Sequence, residues 1–388
     1  MNRHRLSGKL LAVLGLSSSL SSAQSLRGET GGEVAVYGDS DNVWVLTPTA
    51  RGSVRGADLG ASATYTVDIV SAASVDIVST ASPRWTEVRH AGSLAAGYQP
   101  GNFGASGFLA TSIEPDFVST KIGASASADL ARKNLSLSLG YAYEHDVAGR
   151  TGTPYSVYAL RLDRHEISAT ALVVVGRATT LTSVLDLSFE SGRQEKPYRF
   201  LPLFDAAVAA GVPVGASVDE VNRLRLPGKI AERLPDTRQR AAASLRLMHR
   251  LEGSTLTVLD RVYFDGWGQL ANTTDLKWVF ELSRRWSLWP HLRFHEQSAA
   301  SFWRRAYVGR VVPGQVVAPE YRSGDRELGP LRTLTAGPGA AFDFGSPDPR
   351  RLSVTLEVEG SATDFRDALY IDRRWAGLVV AGFTARFE

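Results

Sequence analysis

Arg261, Tyr263 and Asp265 recur at two-residue spacing, and so do Arg293, His295 and Gln297. On an extended strand, side chains two apart point the same way, so each triplet forms one row on one face. Two such rows facing an aqueous lumen could act on a passing solute as a charged constriction. They could equally pair across strands into a ladder that stiffens the wall, which is the commoner use of lumen charge. Catalytic chemistry has less support. His291 and His295 stand well over one pleat apart, and His90, His145, His165 and His249 are scattered. The sequence displays no Ser-His-acid set, His-rich metal cluster, P-loop or dinucleotide motif. No catalytic residue, metal or cofactor is therefore expected. The loop acids Asp39, Asp41, Asp219, Glu220, Asp325 and Glu327 are expected to be solvated rather than to hold a cation.

The elements that must carry these rows are long strands. Leu185, Leu187 and Phe189 alternate with Asp186, Ser188 and Glu190. Leu276, Trp278, Phe280 and Leu282 oppose Asp275, Lys277 and Glu281, and Leu288, Pro290, Leu292 and Phe294 oppose His291, Arg293 and His295. Strict alternation over about ten residues, with charge on the polar face, is the pattern of a barrel that turns apolar residues to lipid and polar ones to a lumen. We read an all-β fold: a single antiparallel transmembrane barrel of about 16 strands, within 14–18. Short turns such as Pro100-Gly101-Asn102 and Glu252-Gly253 alternate with long connections, chiefly Ser191–Pro235 and Glu296–Gly329. Short periplasmic turns and long outer loops follow. A short helix is expected near Ala206–Ala210. Asp260 falls on the apolar face of Leu256 and Val258, so a β-bulge near Leu259 is expected to turn it inward. Trp267, Trp286, Trp289 and Trp375 lie near strand ends and are assigned to aromatic girdles, with a ligand-stacking surface as the rival reading.

Residues 1–23 read as a signal peptide and 24–388 as the barrel. Arg3, Arg5 and Lys9 precede the apolar Leu10–Leu16, and Ser21-Ser22-Ala23 offers a cleavage site. The chain has 43 Lys and Arg against 40 Asp and Glu. Removing the three leader cations leaves 40 against 40. A neutral mature chain gives no reason to expect nucleic acid. Cys is absent, which excludes disulfides, thiolate metal sites and a lipoprotein anchor. No later stretch of eighteen apolar residues offers a spanning helix. Export without such a helix points to a bacterial outer membrane, with lipid as one partner. The last strand alternates up to Phe387, the aromatic that barrel-assembly machinery would recognise, with Glu388 following it.

The chain resembles the outer-membrane barrel family catalogued as domain of unknown function 3570, from about Val34 to its C-terminus. Arg261-Val262-Tyr263-Phe264-Asp265-Gly266-Trp267-Gly268 and the run Arg293–Phe302 carry the resemblance most specifically. Phe294 and His295 stand where the family tends to Tyr, and its serine-rich motif is altered here to Ser71-Ala72-Ala73-Ser74 and Ser79–Pro83. The resemblance implies fold and location and supplies no activity. The leading expectation is a non-enzymatic pore or passive transporter for a small solute, with a loop-narrowed lumen. A structural or assembly barrel docking a periplasmic protein is the alternative, and a barrel hydrolase ranks third.

Overall fold

A computed structural model describes residues 26–72, 85–313, 315–345 and 351–387. The expected leader lies outside these residues, as do Ser74 and Ser79–Pro83. Sixteen antiparallel strands close on themselves: β1 Arg27–Asp39, β2 Trp44–Arg55, β3 Leu59–Ala72, β4 Trp85–Tyr98, β5 Phe103–Glu114, β6 Phe117–Leu130, β7 Leu135–Ala148, β8 Leu160–Gly176, β9 Thr179–Gly192, β10 Thr237–Leu251, β11 Ser254–Asp265, β12 Leu270–Glu281, β13 Trp286–Gln297, β14 Leu331–Asp343, β15 Arg351–Phe365 and β16 Arg373–Phe387. The seam pairs β1 with β16, from Gly28 opposite Phe387 to Asp39 opposite Ala376. Glycine is required there. A Cβ on Gly28 would lie 2.0 Å from the Phe387 ring, so the last aromatic seats on bare backbone.

Parity sorts the wall. Leu185, Leu276, Trp278, Leu292 and Phe294 are exposed on the outside, as a lipid-facing belt requires. Asp186, Glu190, Lys277 and Arg293 share the opposite parity. The end that carries Arg27 and Phe387 has short turns, at 56–58, 99–102, 177–178 and 252–253. The other end carries the long connections 149–159, 193–236, 298–330 and 366–372, together with the two-residue turn 115–116.

Asp260 corrects one expectation. Pairing runs unbroken through it, to Leu245 on β10 and Thr274 on β12. No bulge turns it inward. Its carboxylate stays on the outer surface, where it accepts bonds from Thr274 Oγ1 at 2.7 Å and Asn272 Nδ2 at 3.1 Å. Outward-facing donors on the next strand do what a bulge would have done.

The long connections form a cap with its own apolar packing. The helix expected near Ala206–Ala210 is α1, Ala206–Ala209, whose N-cap Asp205 accepts from Ala207 N. A second helix, α2, covers Val218–Leu224 behind the N-cap Ser217, which accepts from Glu220 N. Phe204, Val212, Ala216 and Val221 of the 193–236 connection pack with Ala306 of 298–330 and with Leu369 and Tyr370 of 366–372. Leu203–Phe204 pairs in parallel with Tyr307–Val308. Leu234, Trp267, Ala300, Trp303 and Leu328 form a second cluster. A loop without such a core would sample open space; burying these side chains gives the cap a defined shape.

Candidate functional site: a capped, charged lumen

The row Arg261, Tyr263, Asp265 divides into two roles. Arg261 reaches across β10 to Asp186 on β9, Nη1 to Oδ2 at 3.1 Å. Only Ala242 and Ser244 intervene on that face, and their small side chains leave the path clear. Asp265 serves the cap. One of its oxygens accepts from Trp267 N at 3.0 Å and Gln269 N at 2.9 Å, which shapes the 266–269 turn. Its other oxygen takes the Arg238 guanidinium and the Tyr263 hydroxyl, the latter at 2.8 Å.

The second row divides likewise. Gln297 Nε2 donates to the carbonyls of Glu327 and Gly329 at 2.7 and 2.8 Å, tethering the 298–330 connection. His295 shares a 2.8 Å bond with Thr273 and approaches Gln297 at 3.2 Å. Arg293 differs from its neighbours: it is exposed on the lumen parity and has no ion-pair partner among the described residues.

Two of the four tryptophans depart from the expected girdles. Trp267 is 4% exposed, inside the cap cluster; its Nε1 donates to Thr237 O, and the Arg238 guanidinium lies 4.1 Å from its ring. The turn held by Asp265 directs it there. Trp289 is 7% exposed and lies on the lumen parity, below Lys277 Nζ at 4.3 Å and flat against Gly339. Trp286 and Trp375 face outward and are exposed.

No local pattern of residues signals the cross-strand charge networks. On one wall Lys121, Glu144, Arg164, Glu190 and Arg240 link five successive strands, β6 to β10, at 2.8–3.3 Å. On another, His291 sits between Asp275 at 2.9 Å and Glu359 at 2.5 Å, and Lys277 meets Glu357 at 3.2 Å. Near the termini end the wall turns small: Ser62, Gly97, Ser106 and Ser125 line, with Glu29 and Arg55, a space of about 1120 Å³. The termini end of the lumen on this side is thus lined largely by small polar side chains, while charge networks crosslink the wall over β6–β10 and β12–β15.

The cap spans the mouth. Tyr198 of the 193–236 connection donates to Asp116 in the β5–β6 turn at 2.5 Å and accepts from Thr151 N at 2.6 Å. Arg326 of the 298–330 connection pairs with Asp41 in the β1–β2 turn. Asp41 is therefore buried rather than solvated, because a cation of the 298–330 connection reaches it. Asp325 likewise accepts from Arg199 at 2.6 Å, and Glu327 from Arg374 at 3.2 Å. Asp39 accepts from Asp41 N and Val43 N and shapes the β1–β2 turn. Burial pushes the Glu232 carboxyl above its ordinary range, against the lowering effect of Arg199 and of bonds from Ser323 Oγ and Lys196 N. Glu87, Glu114 and Asp116 bring carboxylate oxygens within 4.8 Å of one another near the Tyr198 contact. Among the described residues, no histidine is hydrogen-bonded to a serine.

The model of a family described as "Protein of unknown function (DUF3570)" matches residues 163–357. No curated protein matches. Solved structures share the barrel at low identity. The siderophore receptor PirA from Acinetobacter baumannii is 12% identical over 87% of this chain and 53% of its own, with a TM-score of 0.41. This chain thus spans about half that receptor's length. A mutant of the TodX monoaromatic hydrocarbon channel is 10% identical over 94% and 91%, with a TM-score of 0.42. A bacterial polysaccharide outer membrane secretin is 9% identical over 94% and 98%, with a TM-score of 0.47. These likenesses extend no further than the fold.

Proposed function

Since the chain belongs to the DUF3570 family, which brings no activity with it, we propose from its own geometry that it is an outer-membrane pore or passive transporter whose outer mouth is gated by its cap. Residues 1–23 act as the export signal, and the short turns and both chain ends face the periplasm. The last strand, ending at Phe387, is the element offered to the barrel-assembly machinery. The observation that carries the reading is a cap anchored to two separate turns of the rim, Tyr198 to Asp116 and Arg326 to Asp41, above a polar lumen. A barrel built only to stiffen a membrane has no use for an ordered lid with its own apolar core. Long ordered loops over a barrel are usually functional.

Within this reading Arg293 selects. It stays charged, presents a rigid donor fork and has no partner to neutralise it among the described residues. Arg261, held by Asp186, braces the wall instead. Single-channel recording in planar bilayers tests both statements. Arg293→Ala should shift the reversal potential toward cations while the barrel still inserts. Arg261→Ala should change ion preference less and lower the unfolding midpoint more. A purified barrel that never conducts, with or without its cap, would remove the pore and leave a partner-docking barrel.

A further inference from the structure

Inside the cap lies a cavity of about 250 Å³, lined by the 193–236, 298–330 and 366–372 connections. Its walls are of two kinds. Arg199, Arg304, Arg305 and Arg326 are basic residues of its lining, and Tyr198 and Trp303 are among its aromatic ones. The carboxylates that balance these arginines stand behind the wall. Arg305 pairs with Asp367, Arg199 with Asp325 and Glu232, and Arg326 with Asp41, and none of those four acids lines the cavity. Arg304 has no carboxylate partner among the described residues; it donates to the carbonyls of Ser301 and Trp303. The Nε of Arg305 is buried and makes no hydrogen bond.

We infer that this cavity binds a small anion carrying a planar ring, of the class of aromatic monocarboxylates. Guanidinium forks match a carboxylate in two-point geometry, and aromatic walls accept a flat apolar ring. The volume falls below the range of about 300–1,000 Å³ usual for drug-sized ligands, so one ring with one acid group is the scale. A simple inorganic anion would leave the rings unused, and a neutral ring would leave the guanidinium groups unused. The position follows the route: the cavity sits between the Arg326–Asp41 and Tyr198–Asp116 anchors, at the entrance to the lumen. The inference deepens the pore reading by naming a solute class, and it rests on that reading for the route but not for the binding.

Isothermal titration of the detergent-solubilised full barrel decides it, with benzoate, benzyl alcohol and acetate as probes. Benzoate should bind at one site, and the other two about tenfold more weakly or worse. Arg305→Gln and Arg304→Gln should each weaken benzoate about fivefold or more. Arg304 holds no ion pair but donates to the carbonyls of Ser301 and Trp303, so trypsin resistance of its variant is measured alongside, and weakened benzoate binding with the cap still resistant separates ligand contact from cap integrity. Equal binding of benzyl alcohol would overturn the anion, and benzoate binding that survives both substitutions would overturn the site. Conductance is read on the same preparation. Benzoate binding to a barrel that never conducts keeps the cavity and removes the pore; conduction without benzoate binding does the reverse.

Discussion

Arg326 and Asp41 form a buried ion pair that ties the 298–330 connection to the β1–β2 turn. The guanidinium also lies 5.1 Å from the Phe365 ring, so charge and packing act together. Removing one partner of a buried pair strands the other, at a cost of about 3–5 kcal/mol. Asp41→Ala should therefore loosen the cap without opening the barrel. Trypsin should then cut within 298–330 in the inserted protein, and mean conductance should rise. A cap that stays protease-resistant in Asp41→Ala would show that its apolar clusters hold it unaided.

Glu232 makes that cap sensitive to pH. Burial raises its carboxyl in the folded state, although Ser323 Oγ at 2.5 Å and Lys196 N at 3.0 Å both donate to it. A raised folded value means that the protonated form is the one the cap favours. The stabilising contribution is complete below the ordinary glutamate value of about 4.3 and is lost as pH rises through the raised value. Amide exchange in 193–236, corrected for intrinsic rates, should show greater protection on the acid side of that window. Glu232→Gln should flatten the dependence; an unchanged profile in that variant assigns the effect elsewhere.

Strand number, parity and the existence of a cap were legible because each depends on local alternation or on connection length. Trp289 is legible too: it lies on the parity opposite Leu288 and Pro290, and that parity, not its place near a turn, decides where it points. Trp267 was not legible, because its direction depends on a turn held by Asp265 and on cap residues far along the chain. The same reason hid the Lys277–Glu357 and His291–Glu359 pairs. They join β12 and β13 to β15, and their registers follow from closure of the whole sheet. Arg261 and Arg293 looked alike in sequence; only the three-dimensional placement of Asp186 separates a brace from an exposed charge.

Trp289 depends on Gly339. A Cβ at that position would come within 2.1 Å of the indole Nε1, so Gly339→Ala must push the ring away from the wall and from Lys277. Overpacking of this kind costs about 1–3 kcal/mol. The urea midpoint should fall accordingly, and the same substitution made in a Trp289→Ala background should cost much less. Equal losses in both backgrounds would mean that the strain lies in the backbone and not against the ring.

Asp260 faces lipid near mid-height of the barrel. The register row through it begins at Phe103, the first residue of β5 at the termini end, and finishes at Trp375, near the cap end of β16. That row crosses β5 to β16, and Asp260 lies on β11, between Leu245 and Thr274. Basic residues at the midplane cost about 2–4 kcal/mol and acids less, and the bonds from Thr274 and Asn272 offset part of the penalty here. Asp260→Leu should consequently stabilise the barrel, by about 1 kcal/mol, in unfolding titrations from lipid vesicles. Asp260→Asn should give a smaller gain, since it removes the charge and keeps a polar group. A loss of stability on Asp260→Leu would mean that the bonds to Thr274 and Asn272 outweigh desolvation of the carboxylate, and that the outer wall is braced at this point by polar contacts.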